Sequence, residues 1–165
     1  MFSFPNPVNE KAARSVAAGV VVLCVLTLVL TLAVGDGWLW LTVPLAYGFL
    51  ARVASGPTFS PLGQLATPVL APRLGPVREV PGPPKRFAQA IGATLSVAAV
   101  VVGLALGFVG AALVLVAMIL VAATLESALG YCLGCKIFGL LMAAGVIPEQ
   151  TCLACADVRG RLGTA

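Results

Sequence analysis

Cysteines carry most of the chemical potential of this sequence. Cys132-Leu-Gly-Cys135 and Cys152-Leu-Ala-Cys155 are two pairs at C-x-x-C spacing, and Lys136 directly follows the first. Glu126 stands about a turn and a half before Cys132. Three residues apart on a helix brings two side chains to one face, and a disulfide closes between them where the geometry permits. The working species of a dithiol is the thiolate, favoured by a helix N-terminus or a nearby cation. A helix starting near Cys132 would supply the first condition and Lys136 the second. Glu126 would accept the thiol proton. On this reading Cys132 and Cys135 are the working pair. Cys152 and Cys155 resolve it or pass equivalents on, by thiolate attack through a mixed disulfide.

Three other readings of the same residues stand beside this one. Sixteen residues separate Cys135 from Cys152, so the pattern C-x2-C-x16-C-x2-C falls within zinc-site spacing. Four thiolates from Cys132, Cys135, Cys152 and Cys155 would hold zinc or an iron–sulfur cluster, within a non-enzymatic membrane scaffold. The segment between the pairs, "KIFGLLMAAGVIP", is apolar, unlike the polar strands and turns of a zinc ribbon. The bland alternative is packing cysteines, with Glu126 in an ion pair to Arg52 or to a basic residue of the middle loop. Cys24, in the middle of an apolar run, reads as packing. A third functional class is a small-ion or sulfur-compound transporter using Glu126 and Arg52, assembled as a homo-oligomer. The chain has no histidine, which removes a histidine base, histidine haem ligation and mixed Cys/His zinc sites. No P-loop or dinucleotide fingerprint occurs. Basic residues are not interleaved with aromatics, so nucleic-acid binding has no support.

The elements that must position these thiols belong to a membrane protein. Apolar residues make up 60% of the chain and charged ones 10%, against about 25% charged in a soluble domain. The run Ser15 to Gly35 is 21 uncharged residues, spanning length rather than signal length, and reads as a retained helix. Asn9 is its N-cap, with Pro7 just outside. We expect one all-α membrane domain with four transmembrane helices, at about 16–34, 38–53, 87–106 and 109–130. Trp38 and Trp40 anchor the second at an interface and Arg52 snorkels at its other end. The loop 55–85 holds most of the prolines and is too broken to span. It suits short helical pieces along the membrane surface. Ala88 to Leu125 is 38 residues without a charge, about 57 Å as one helix against a hydrocarbon core of about 30 Å. It must fold back, with Gly103, Gly107 and Gly110 available for the turn.

All ten Lys and Arg residues fall on one side of this topology, so both termini and the loop 55–85 are expected in the cytoplasm. The segment 131–165 is then cytoplasmic, with a short interfacial or re-entrant helix between the cysteine pairs. Cytoplasmic placement disfavours a structural disulfide. A five-span alternative, with a helix over 128–147, would bury Lys136 at a cost of about 2.5–3.5 kcal/mol. Arg14, Arg52, Lys85 and Arg86 form a basic ring at the cytoplasmic face, suited to headgroups or to an anion such as thiosulfate.

Four stretches together resemble one family: "FPNPVNEKAARSVAAG", "RVASGPTFSPLGQLATPVLAPRLG", "PGPPKRFAQAIG" and "LESALGYCLGCKIFGLL". This is a group of small bacterial integral membrane proteins known only as domain of unknown function number forty-three ninety-five. The resemblance covers nearly the whole chain. It implies a multi-pass protein of the bacterial inner membrane with no established activity. Members of the family often occur beside thioredoxin-like and thiosulfate-sulfurtransferase-like proteins, which implies thiol or sulfur traffic with such a soluble partner. "GYCLGCKIFGLL" is also similar to the cysteine-containing end of the membrane part of some rhodanese-fused proteins, where one cysteine is common and this chain has two.

Overall fold

A computed structural model of the chain describes residues 6–56, 59–66, 68, 73 and 79–152. The first helix, α1 (Glu10–Ala33), begins where the cap residue dictates: Asn9 Oδ1 accepts the Lys11 N–H at 3.0 Å. Just before it, β1 (Val8–Asn9) pairs antiparallel with β2 (Glu79–Val80), Val8 facing Val80. This two-residue ladder ties the start of α1 to the end of the middle loop, and nothing in the alternation of so short a segment announces it. After Gly35, the chain forms a 3-10 turn over Asp36–Leu41 and then α2 (Thr42–Ser55). The predicted second span is therefore split, and α2 itself is about 21 Å long.

Within the middle loop, α3 (Pro61–Leu65) is capped by Ser60, whose hydroxyl accepts the Gly63 N–H at 3.4 Å. Leu62 lies so close to α1 that a Cβ on Gly19 would sit 2.8 Å from it. The loop thus folds onto the bundle. The third long helix, α4 (Gly82–Val100), starts five residues before the predicted position and continues through a π-helical turn, Val101–Ala105. Pro83 and Pro84 fit its first turn, where backbone N–H groups have no partner within the helix. Lys85 and Arg86, expected in the loop, are thereby inside the helix. Gly107, at φ +74°, makes the reversal into α5 (Val109–Leu129). Of the other two glycines expected in that turn, Gly103 packs against Ala112 and Gly110 faces open space.

The end of α5 is set by Gly130 in the left-handed conformation. Its N–H bonds the Glu126 carbonyl at 3.0 Å and the Tyr131 N–H bonds the Leu125 carbonyl at 3.1 Å, the Schellman pattern. Two residues later α6 (Leu133–Ala143) begins, followed by a 3-10 turn at Glu149–Cys152. The break at Gly130 and the length of α6, 11 residues, replace the single helix over 128–147 that five spans would need.

In the bundle α1 packs on α5, α2 on α4, and α4 on α5, while α6 lies across α4. Its core includes Val20, Cys24, Leu39, Leu45, Phe49, Val116 and Ile119. Cys24 is fully buried there, as a packing residue should be. Small residues let the helices approach: a Cβ on Gly92 would lie 2.2 Å from the Phe49 ring. The outside is apolar, with Val22, Leu26, Val29, Leu32, Val114, Met118 and Val121 all exposed. Helix hydroxyls, buried or exposed, bond the carbonyl one turn back; Thr27 donates to the Leu23 carbonyl at 2.7 Å, Ser96 to the Gly92 carbonyl at 2.8 Å and Thr124 to the Leu120 carbonyl at 2.7 Å. An apolar exterior, with these hydroxyls satisfied inside their own helices, suits lipid as the solvent. Three helices, Glu10–Ala33, Gly82–Ala105 and Val109–Leu129, are long and apolar enough to cross a membrane.

Candidate functional site

The first cysteine pair sits where the end of α5, the start of α6, the first turns of α4 and the last turn of α2 meet. Cys132 is the N-cap of α6, and its sulfur accepts the Cys135 N–H at 3.3 Å. The helix start that the sequence made conditional is thus present. A thiolate at this position faces the unpaired amides of the first turn, where negative charge is favoured. Both thiols are free; Cys132 is buried and Cys135 partly so. Close packing fixes the start of α6 on α4, since a Cβ on Gly134 would lie 2.5 Å from the Ala88 Cβ.

The two thiols differ sharply. Cys132 is held below the ordinary thiol value, first by the hydrogen bond from the Cys135 thiol and also by the charge of Lys85, against burial and the Glu126 carboxylate. Cys135 is pushed up, first by donating that hydrogen bond and then by burial. Cys132 is therefore the more acidic thiol of the pair and Cys135 the less acidic. The cation beside them is Lys85 of α4. Lys136, expected in that role, lies over the Tyr131 ring at 5.5 Å.

Glu126 meets Lys85, with Nζ to Oε1 at 2.5 Å and side-chain exposures of 13% and 8%. This is the ion pair to a basic residue of the middle segment that sequence reasoning set beside a proton-acceptor role. Arg52 contributes as well, through its charge facing Glu126. It is 5% exposed, turned into the bundle rather than snorkelling outward. Its Nε donates to Gln89 Oε1 at 2.8 Å and its Nη1 to the Ser60 hydroxyl at 3.1 Å, with the Phe49 ring 4.5 Å below the guanidinium. Burial of an arginine is tolerated when its donors are matched in this way.

These groups border a cavity of about 240 Å³ between α1, α2, α4, α5 and α6. Arg52, Gln89, Glu126 and Cys132 lie on its wall, and the rest is apolar or glycine, with Val20, Phe49, Leu95, Met118 and Ile137 among the lining residues. Sequence reasoning missed the cavity and Gln89. The available signal was slight: Gln89 is an amide early in a long uncharged run.

Cys152 separates from this centre. Cys152 is buried in a second apolar cluster with Phe138 and Met142, and its sulfur is disulfide-bonded. Cys155 lies outside the described residues. Among the described residues no three His, Cys, Asp or Glu side chains converge as metal ligands. The expected basic ring is divided among structural partners. Arg14 donates to the Ser127 and Ala128 carbonyls at the end of α5, at 2.9–3.2 Å, and Arg86 to the Val53 carbonyl at 3.1 Å.

Residues 8–143 match the family described as Domain of unknown function (DUF4395). The chain belongs to this family. The match runs from Val8, the first residue of β1, to the last residue of α6, so it takes in Lys85, Glu126, Cys132 and Cys135 and stops before Cys152. No curated protein and no solved structure matches the chain. Three of the four stretches quoted from the sequence lie wholly inside the match and the first overlaps it from Val8, and DUF4395 membership assigns no chemistry to them.

Proposed function

We propose that this DUF4395 protein exchanges thiols and disulfides at one face of a membrane, with Cys132 as nucleophile and Cys135 as its resolving partner. The observation that carries the reading is Cys132 at the N-cap of α6, its sulfur bonded by the Cys135 N–H and lowered in pKa beside Lys85. These are the conditions that activate a dithiol. In the exchange, Cys132 attacks a disulfide or persulfide sulfur of a soluble thioredoxin-like or sulfurtransferase-like protein. A mixed disulfide forms and the partner's outer sulfur leaves as a thiolate or sulfide. Cys135 then attacks the Cys132 sulfur, releasing the partner's other thiol. Its proton passes to Glu126, whose carboxylate is held by Lys85.

The topology that goes with this reading has four spans. The second combines the 3-10 turn Asp36–Leu41 with α2, together about 33 Å, and α2 packs along α4. Lys11, Arg14, Arg52, Lys85 and Arg86 gather at the bundle end that carries Cys132, while Asp36, Trp38 and Trp40 mark the other. By the positive-inside rule the thiol end faces the cytoplasm, in the inner membrane of a bacterial cell. The test is trapping in the intact membrane protein. Cys135→Ser should accumulate a mixed disulfide through Cys132 with an added thioredoxin-like disulfide. Absence of any adduct, with the variant folded, would sink the proposal.

A further inference from the structure

We propose that the cavity beside Cys132 is a binding site for the ring of a lipid-soluble quinone, the electron acceptor that reoxidises the Cys132–Cys135 dithiol. The inference rests on the thiol-exchange reading, run in the direction in which a soluble dithiol reduces the Cys132–Cys135 disulfide through the same mixed disulfide, and it names the oxidant that restores that disulfide. Three observations carry it. The cavity, about 240 Å³, is large enough for one or two fused six-membered rings and is walled mostly by apolar side chains. Lining residues Met118, Leu133 and Ile137 are exposed on the outer surface of the bundle, so lipid meets the cavity on an apolar side. Cys132 lines the cavity whereas Cys135 does not, so the thiol prone to ionise is the one presented to an occupant.

The polar wall matches the ring's acceptors. A quinone offers two carbonyl oxygens and no donor. The Gln89 carbonyl is committed to Arg52, which can only donate. That orientation leaves the Gln89 amide N–H groups, with the Arg52 guanidinium, as donors on the cavity wall. A ring carbonyl bonded there gains negative charge as it is reduced, and the buried guanidinium stabilises that charge more strongly than water would.

The step balances. The Cys132 thiolate adds to a ring carbon, forming a C–S bond and moving one electron pair onto the ring oxygen. Cys135, deprotonated toward Glu126, attacks the Cys132 sulfur. The S–S bond forms, the S–C bond breaks, and its electron pair reduces the ring to the hydroquinone level. The two ring oxygens take up two protons, one originating on Cys135 and one from solvent. The dithiol is oxidised by two electrons and the quinone reduced by two. A disulfide at Cys132–Cys135 is then ready to accept electrons from a soluble dithiol.

The experiment uses the whole protein, reduced and reconstituted in nanodiscs, with decylubiquinone as probe. Its ring has no unsubstituted carbon on which a thiol could build a permanent thioether. We expect stoichiometric formation of the quinol together with the Cys132–Cys135 disulfide. Cys135→Ser should give a thiolate–quinone charge-transfer band, absent in Cys132→Ser. Gln89→Leu should weaken probe binding by about tenfold, the loss of one hydrogen bond to a buried acceptor. Ala122→Phe, which fills the cavity, should abolish quinone reduction while thermal melting shows the chain folded. Running the mixed-disulfide trap on the same preparation separates the two readings. A positive trap with neither quinol nor charge-transfer band overturns the quinone site and leaves thiol exchange standing. Failure of both overturns both. Quinol formation that survives in Ala122→Phe overturns the assignment of the site to this cavity.

Discussion

Glu126→Gln removes the only carboxylate that the described residues place on the wall of the cavity and leaves two buried cations without it. Lys85 loses a partner at 2.5 Å, and Arg52, 5% exposed, loses the anion that its charge faces. Breaking a buried pair by deleting one member costs about 3–5 kcal/mol, because the remaining charge stays desolvated. For a chain of this size each kcal/mol moves the midpoint by about 2–4 °C, so Tm should fall by about 6–20 °C. Lys85→Met is the informative comparison. It strands Glu126, yet Arg52 still faces that carboxylate, so the loss should be about half as large. The double variant should cost less than the sum of the singles by about 0.5–3 kcal/mol, the coupling expected of residues in contact. The assay is thermal unfolding in one detergent, followed by tryptophan fluorescence and by thiol exposure. A Glu126→Gln midpoint within about one degree of wild type, or a larger loss in Lys85→Met, would refute the claim that two cations depend on this one carboxylate.

Alkylation of Cys132 should show its pH inflection below that of an ordinary thiol, because the thiolate exists above the folded-state pKa and that value is lowered, first by the Cys135 hydrogen bond. Lys85→Met should move the inflection up and Cys135→Ala should move it further up; rate profiles followed by mass spectrometry check both. Gly134→Ala drives a Cβ into Ala88, whose Cα would be 2.6 Å away, and should cost about 1–3 kcal/mol while raising the exposure of both thiols to alkylation. Arg14→Ala removes three hydrogen bonds from the last carbonyls of α5 and should cost about 1.5–3 kcal/mol, read as a lower Tm.

How much of this was legible in the sequence depends on how local the cause is. The α1 cap, the fold-back of the 38-residue uncharged run and the start of a helix at Cys132 each follow from a few neighbouring residues, and each is present. Run length also predicted the three helices long and apolar enough to cross a membrane, two of them with ends within a residue or two at the turn between them. The expected second span rested on its hydropathy, on Trp38 and Trp40 as anchors and on a snorkelling Arg52, none of which registers that Gly35-Asp36-Gly37 opens into a 3-10 turn before α2. Lys85 was read as a topology marker because it adjoins a proline-rich loop. Its role comes from Glu126, 41 residues away, and no periodicity encodes that contact. Arg52 misled for a related reason: an arginine at a helix end ordinarily reaches for water, and only the fold supplies Gln89, Ser60 and Phe49 to hold it inside. The cavity is likewise a property of five helices together, and Gln89 gains meaning only once it stands opposite Arg52.

The central claim is that Cys132 and Cys135 form a reversible redox couple, and a redox titration of the wild-type protein in nanodiscs tests it most directly. Poise the protein across a series of thiol–disulfide buffers, block free thiols, and map each pair separately by mass spectrometry. A reversible Cys132–Cys135 disulfide with a single two-electron midpoint, distinct from the state of Cys152, is the expected result. A pair that stays reduced at every poise while the protein remains folded would contradict it.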